Sequence, residues 1–426
     1  MILYSKNIHG LSLFNTLHRI KLENPNLEID LRNDIDQIPD DKTLIFYEID
    51  LLEHINYDII WSDLTKTHEQ NIALQVSNLR DGIGTVIPPI LIKKLRTGSA
   101  YLILSFLMEN YMGMDFIEII AQHLNLKGIP LEKVIYLTNT VNSKELFLKE
   151  CVDRAVKPKI NIEGFPYFLL SLYNLSFEFG SGITNYTVDS KQKPFMCLNR
   201  RFRNHRGIFY LMIYANNLLD NFYYSLDQID PDSRLPNVTD KVKSTTARDF
   251  LKGCLFSNYI DPNQFSDQVL DNAINQLPLI LDTATFEYPN KENKDLITYF
   301  ENSLISVVTE TNFNDNIHLT EKIFRAMYNL HPFILLSSHG SLKYLRSLGF
   351  ITFNIFWDES YDDESHHGRR IEKVLNLVKE ISTWSQERRF QFSMSVQPIL
   401  EHNKKLVINS VHFSKKYIDH LRSSYT

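Results

Sequence analysis

The segment Asp295–Phe333 sets a short apolar run, Leu296-Ile-Thr-Tyr-Phe300, directly against Glu301-Asn302-Ser303. After an Asn/Asp-rich insert at 312–316 it presents Thr320-Glu321-Lys322. An apolar run that stops abruptly at polar residues is how a buried parallel strand meets the carboxyl edge of its sheet, where side chains face a crevice. Thr320 is placed to cap a helix whose apolar positions Ile323, Met327 and Leu330 follow helical spacing and which Pro332 ends. A helix N-terminus presents unpaired N–H groups and a partial positive charge, so a phosphate fits there. Lys322 adds a full charge, and Glu321 can accept from ribose hydroxyls. The chemistry is that of nucleotide diphosphate binding, against the plain alternative of a capped helix with a solvated Glu-Lys pair.

A second concentration of polar groups, Arg200, Arg201, Arg203, His205 and Arg206, directly follows the strand-like Lys193-Pro-Phe-Met-Cys-Leu-Asn199 and precedes a helical 208–219. The planar guanidinium fork matches phosphate oxygens, and several cations in one loop repel one another unless an anion sits among them. The loop therefore reads as anion-binding, with a solvated basic loop as the alternative. His205 reads equally as a helix cap or a packed residue.

Taken together, Phe300-Glu301-Asn302-Ser303 and Thr320-Glu321-Lys322 resemble the donor-binding signature of the fucosyltransferase-like glycosyltransferases of GT-B architecture. The resemblance implies an α/β fold of two Rossmann-like domains facing each other across a cleft, with a C-terminal helix returning to the first domain. It implies Glu301, Asn302, Thr320, Glu321 and Lys322 as donor-site residues. The Lys193–Arg206 stretch is similar to the strand, Asn/Arg loop and helix that opens the nucleotide-binding domain in that family. This implies a diphosphate contact for Arg206 and brings Arg200 and Arg203 into the donor-binding set. The tail Gly340–Phe353, with Trp357–Asp362, is similar to glycosyltransferase-like proteins of bacteriophages.

The elements that must position these residues alternate in type. Short apolar runs at Met1–Tyr4, Thr43–Tyr47, Asp58–Trp61, Ala100–Leu107 and Lys133–Leu137 alternate with helical segments such as His9–Glu23 and Asp115–His123, a doubly wound α/β pattern. Further strands are expected at Leu279–Leu281, Leu296–Phe300, Phe333–Leu336 and Phe350–Phe353. Helices are expected at Leu342–Leu348 and Arg369–Ile381, and in two pieces around Asn403 between Trp384 and Leu421. The domains expected are 1–188 on the acceptor side, 189–395 for the nucleotide sugar, and a helical return at 396–426. Within the first, Ala100–Leu107 is placed to deliver Ser105 or Glu109 to the carboxyl edge. Glu109 is the candidate general base, with Glu48 and Asp50 competing and a surface carboxylate as the plain alternative. The Asp81-Gly-Ile-Gly84 loop, the aromatic residues between Phe165 and Phe179, and the Ser337–Ser341 turn each fit a ligand contact, or equally a turn or core.

With 426 residues, 43% of them hydrophobic and 23% charged, the composition is that of a globular protein of two domains. No apolar run approaches the ~20 residues of a spanning helix, so no membrane insertion and a cytoplasmic location are expected. Cys151, Cys197 and Cys254 lack a metal spacing and read as reduced packing residues. The Asp358–Glu364 carboxylates with His366 and His367 invite a metal but read better as an acidic loop capping the next helix, so no metal is assigned. A net charge of −6 disfavours coating nucleic acid through overall charge, though a module using the Arg loop alone stays open.

The expected activity is glycosyl transfer from a nucleotide diphosphate sugar to an acceptor hydroxyl. Glu109 would act as base, Arg206 and Lys322 would stabilise the departing diphosphate, and no cofactor beyond the donor is needed. The bacteriophage likeness points to the hydroxymethyl group of modified cytosine in duplex DNA as acceptor and arabinose or glucose as sugar. That acceptor needs a cationic groove, for which Lys93, Lys94 and Arg96 are the candidates. The alternatives are an enzyme of lipopolysaccharide or capsule synthesis and a non-catalytic nucleotide-binding protein; oligomeric state stays open.

Overall fold

The computed structural model describes residues 1–5, 13–23, 25–39, 41, 43–51, 87–107, 111–170, 182–184, 186, 193–199, 202–227, 247–281 and 296–425. The chain divides into two compact units, one formed by Met1–Tyr173 with Ser410–Thr426, the other drawn from the residues between. Each carries its own wholly parallel sheet.

In the first unit the strands described are β1 (Ile2–Ser5), β2 (Asp30–Arg32), β3 (Ile45–Asp50), β4 (Ala100–Phe106), β5 (Val134–Thr138) and β6 (Asn161–Gly164), ordered β2-β1-β3-β4-β5-β6. The Ala-Tyr-Leu-Ile-Leu-Ser-Phe run of β4 is apolar but for Ser105 because this strand lies between β3 and β5 in the interior of the sheet. The intervening helices are α1 (Leu13–Glu23), α2 (Pro89–Arg96), α3 (Met114–Leu126), α4 (Ser143–Asp153) and the short α5 (Tyr167–Leu170). Right-handed crossovers place α2, α3 and α4 on one face, where Leu91, Phe116, Ile120 and Phe147 share a core with Tyr47, Leu102 and Tyr136. The β1-to-β2 connection through α1 runs in the opposite direction across the sheet and therefore covers the other face.

The second unit runs β7 (Lys193–Asn199), α6 (Asn204–Ala215), β8 (Phe222–Leu226), α7 (Ala247–Ser257), α8 (Asp267–Asn275), β9 (Ser303–Thr309), α9 (Glu321–Tyr328), β10 (Phe333–Leu336), α10 (Ser341–Ser347), α11 (His367–Ser382) and α12 (Gln386–Ile408). Its sheet is ordered β10-β9-β7-β8, again doubly wound from the first strand of the unit. The last helix, α13 (Val411–Tyr425), belongs to the first unit, where Tyr417 packs edge-on against Phe165 and the Tyr425 hydroxyl donates to Glu163 at 2.7 Å. Two doubly wound parallel units in one chain, with the final helix rejoining the first, is the GT-B type of α/β organisation. The rejoining segment starts at Ser410; α12 runs unbroken past 396 and past Asn403 to Ile408. Among the described residues no helix is long and apolar enough to cross a membrane.

Three expected strands are overturned. Residues 296–301 are helical, because Leu296 and Phe300 are buried one helical turn apart while Thr298 between them is exposed. The strand comes afterwards as Ser-Leu-Ile-Ser-Val-Val-Thr, all seven residues buried. Leu279 makes only an isolated antiparallel bridge to Leu226. Phe350–Phe353 is irregular, and Phe353 is held there by packing on Phe333 and Trp357.

Candidate functional site at the carboxyl edge of the second sheet

Parallel strands deliver their chain ends to one edge, and in the second unit that edge gathers Asn199, Leu226, Thr309-Glu310 and Ser337-Ser338, followed by the N-termini of α6, α9 and α10. At its centre is Glu310, the first residue after β9 and fully buried. Its carboxylate accepts the backbone N–H of Thr320 at 3.0 Å and the Thr320 hydroxyl at 2.5 Å. Burial pushes this carboxyl up, while Lys322 and the Thr320 donors pull against that shift.

Thr320 is the N-cap of α9, its side chain accepting from the Lys322 N–H as well as from the Lys322 amine at 2.9 Å. The same amine donates to Glu321 Oε1 at 2.9 Å. Burial acts to raise the Glu321 carboxyl, but Lys322 and Arg325 outweigh it and hold the group down at about 2. Glu321 is thus an ionised acceptor with 29% of its side chain exposed, beside a Lys322 side chain that is 26% exposed. An ammonium has three donors, and two are engaged here, so the third can meet an anion. His318, just ahead of the cap, is pushed down to about 3 by burial and the nearby Lys322 charge, which keeps it neutral.

The N-terminus of α6 meets the same edge. Arg206 is 3% exposed and donates to the carbonyls of Thr309 at 3.0 Å and Glu310 at 3.2 Å. Its place is beneath the site, tying α6 to the end of β9, and this corrects the expectation of a diphosphate contact. Burial lowers its pKa, with Glu310 opposing. His205 lies flat on Phe313, ring centroids 4.9 Å apart, and meets the Glu310 carbonyl at 2.9 Å. Burial and Arg206 hold its imidazole well below the usual range, so of the readings left open the packed one holds. On the other side of Phe313 sits Arg370 of α11, 1% exposed, 4.3 Å from the ring centroid and donating to the carbonyls of Glu364 and Phe313. Arg203 is the half-buried N-cap position of α6.

Glu301 and Asn302 are separated from this group by the whole of β9. They end the 296–301 helix at the amino edge of the sheet, where the Asn302 carbonyl accepts from Lys193 N–H, the first residue of β7. A seven-residue strand spans about 23 Å. The mistaken strand at 296–300 is what had placed them at the carboxyl edge. Glu310 takes the position expected of Glu301, and the β-branched run Ile305, Val307, Val308, Thr309 before it is the sequence signal of its strand.

Other candidates resolve as structural supports. Asp362 accepts the N–H groups of Leu342 and Lys343 at 2.9 Å each, closing the N-terminus of α10 behind the Ser337–Ser341 turn. Glu359 accepts from Thr352, Phe353 N–H and Arg346, and Glu364 from His366 N–H and Arg369. His339 faces Asp315 at 3.6 Å. In the first unit Glu48 accepts the N–H groups of Leu13 and Phe14, both at 2.7 Å, so it is the cap of α1. Ser105 is buried against the Ile49 carbonyl. Of the three residues expected to line a cationic groove, Lys94 is 2% exposed with its amine on the carbonyls of Pro39 and Asp41, while Lys93 and Arg96 are exposed and Arg96 donates to Gly128 O. Glu109, Arg200, Arg201, the Asp81–Gly84 loop, Asp58–Trp61 and the side chain of Asp50 lie outside the described residues.

No protein-family model matches the chain, and no curated protein does. Among solved structures it is similar to a UDP-GlcNAc 2-epimerase from Neisseria meningitidis bound to UDP-GlcNAc, at 9% identity over 98% of both chains and a TM-score of 0.40. A second UDP-N-acetylglucosamine 2-epimerase aligns at 10% identity over 98% of this chain and 96% of its own, with a TM-score of 0.29. A ugt transferase from Siraitia grosvenorii in complex with UDP aligns at 10% identity over 94% of this chain and 99% of its own, with a TM-score of 0.27. At these scores the likenesses decide neither ligand nor activity.

Proposed function

We propose that this chain is a glycosyltransferase that binds a nucleotide diphosphate sugar at the carboxyl edge of its second sheet and transfers the sugar to an acceptor hydroxyl. The observation that carries the reading is the first turn of α9. There an ionised Glu321 and a Lys322 amine, both partly exposed, are held side by side over the buried Glu310–Thr320 anchor. Glu321 accepts from ribose hydroxyls, and Lys322 meets the diphosphate and stabilises its departure. Arg203, at the start of the neighbouring α6, adds a second cation to the donor side, and Arg200 is proposed as a third donor-binding residue. Arg206 contributes from beneath by fixing the carbonyl end of β9. Glu109, after β4 of the first unit, takes the acceptor proton if configuration is inverted.

The acceptor is proposed as a hydroxymethylated pyrimidine of duplex DNA. Support for it rests on the sequence resemblance alone, and of Lys93, Lys94 and Arg96, expected to line a groove for the duplex, Lys94 is buried on backbone carbonyls. The test is a thermal-stabilisation screen of nucleotide sugars on the full chain. It is followed by incubation of any stabilising donor with hydroxymethylcytosine duplex or with glycan acceptors, and mass measurement of the products. A mass gain of one sugar on the nucleoside supports DNA, and a gain on a glycan alone moves the enzyme to envelope synthesis. Donor binding without transfer to any acceptor would leave a nucleotide-binding protein, and no stabilisation by any donor would remove the reading.

A further inference from the structure

A cavity among the described residues lies on the helical face of the first unit. It is a half-open groove of about 490 Å³ running along α3, a volume in the range of small-molecule sites at roughly 300–1,000 Å³. Ile117, Ala121, Leu131, Phe147 and Ile160 supply its apolar floor. A helix packed on the outside of an α/β sheet usually turns a polar stripe outward. Here the buried Ile117 is followed one turn on by the small, partly exposed Ala121, and both line the groove.

The far wall is held off from α3 by a backbone feature. After α4 the chain turns through Ala155 at φ +53, with Val156 N–H reaching back to the Cys151 carbonyl and Ala155 N–H to that of Val152, a helix end of the Schellman kind. A left-handed alanine costs about 1 kcal/mol, a strain that glycine at this position would avoid. The turn carries Val156, Lys157 and Lys159 out along the rim, where both lysines are exposed; Glu118 of α3 is the acidic residue bordering the groove.

We propose that this groove is a second ligand site, for a small single-chain amphiphile with an anionic head: the chain on the Ile117–Ala121–Phe147 floor and the head between Lys157 and Lys159. The charge complementarity is local, because the chain as a whole carries −6. The site is contained within the first unit and stands independently of the sugar-nucleotide reading.

The test is a calorimetric titration of the full chain with sodium decanoate below its micelle concentration, set beside decyltrimethylammonium. Decanoate should bind and the cation should not. Ala121→Trp, which fills the groove from a partly exposed helix position, should weaken decanoate at least tenfold while the far-ultraviolet circular dichroism and the urea unfolding midpoint stay unchanged. Lys157→Ala with Lys159→Ala should weaken it by a similar factor in a chain that folds normally. Absence of decanoate binding, equal binding of the cationic analogue, or binding indifferent to both variants would overturn the proposal. So would sedimentation with phosphatidylglycerol vesicles that persists in Ala121→Trp, because the surface would then be recognising a membrane and not a bound chain. Thermal stabilisation by nucleotide sugars should be the same in all three proteins, which separates this outcome from that of the sugar-nucleotide site.

Discussion

Glu310 and Thr320, ten residues apart, are joined twice: the one carboxylate takes both the N–H and the hydroxyl of the other. A buried carboxylate is tolerable only where hydrogen bonds replace its lost hydration, and a helix N-terminus supplies such donors. The pair therefore fixes where α9 begins and, through the Thr320 hydroxyl, where the Lys322 amine rests.

Thr320→Val keeps the shape and removes the hydroxyl. Hydrogen bonds to charged groups are worth about 1.5–3 kcal/mol, so urea denaturation should show a loss of that size together with weaker donor binding. An unchanged unfolding midpoint would show that the carboxylate is not anchored in this way.

Arg206 and Lys322 should separate cleanly. Arg206→Ala removes a charged donor from the Thr309 and Glu310 carbonyls, the second of which keeps His205, and should lower stability by about 1.5–3 kcal/mol. Lys322→Ala, at a part-exposed side chain, should change stability little and weaken donor affinity by about 1.5–3 kcal/mol. Calorimetry and chemical denaturation on both variants check the division. Equal effects of the two on binding, with neither altering stability, would return Arg206 to the ligand.

The sequence showed the parallel α/β class, the cap at Thr320 and the strand at 333–336, because capping residues and buried runs leave local signatures. It misplaced the strand before the site. Leu-Ile-Thr-Tyr-Phe fits a helix or a strand equally well by composition, and only its burial one turn apart against the rest of the unit decides for helix. Arg206 and Lys94 are ambiguous for a related reason: a cation that satisfies backbone carbonyls looks, in sequence, like one that awaits a phosphate.

Lys94 provides a direct check on the acceptor. Its amine satisfies the carbonyls of Pro39 and Asp41, so Lys94→Met should destabilise the first unit by about 1–2 kcal/mol, as for part-buried hydrogen bonds from a charged donor. The salt dependence of any duplex binding should stay as it was, because the slope follows the number of phosphates neutralised. A slope reduced by about one would mean that the lysine leaves its carbonyls to meet DNA.

The acidic segment after Trp357 makes the opposite demand. Asp362 holds two N–H groups at the start of α10, and Asp362→Ala should lower stability by about 1–2 kcal/mol, the loss typical of an N-terminal cap. Transfer activity is expected to survive excess chelator. Strict dependence on added Mn²⁺ would direct attention back to Asp358–His367.

The last expectation concerns pH. His318 is 4% exposed, and burial with the adjacent Lys322 charge carries its imidazole from an ordinary 6.5 down to about 3. The unfolded chain takes up a proton near 6.5 that the folded chain refuses until about 3. Unfolding therefore binds a proton between those values, and stability falls as pH drops through that window while being fully present above it. One such histidine gives a slope approaching about 1.4 kcal/mol per pH unit, hence a loss of roughly 1–2 kcal/mol between pH 6.5 and pH 5. His205, shifted in the same direction by burial and Arg206, steepens the fall. In His318→Gln, which cannot titrate, the decline from pH 6.5 to pH 5 should be shallower by that amount. Urea unfolding of both proteins at several pH values measures it. Parallel curves for the two would mean that His318 reaches water in the folded chain and is not held neutral beside Lys322.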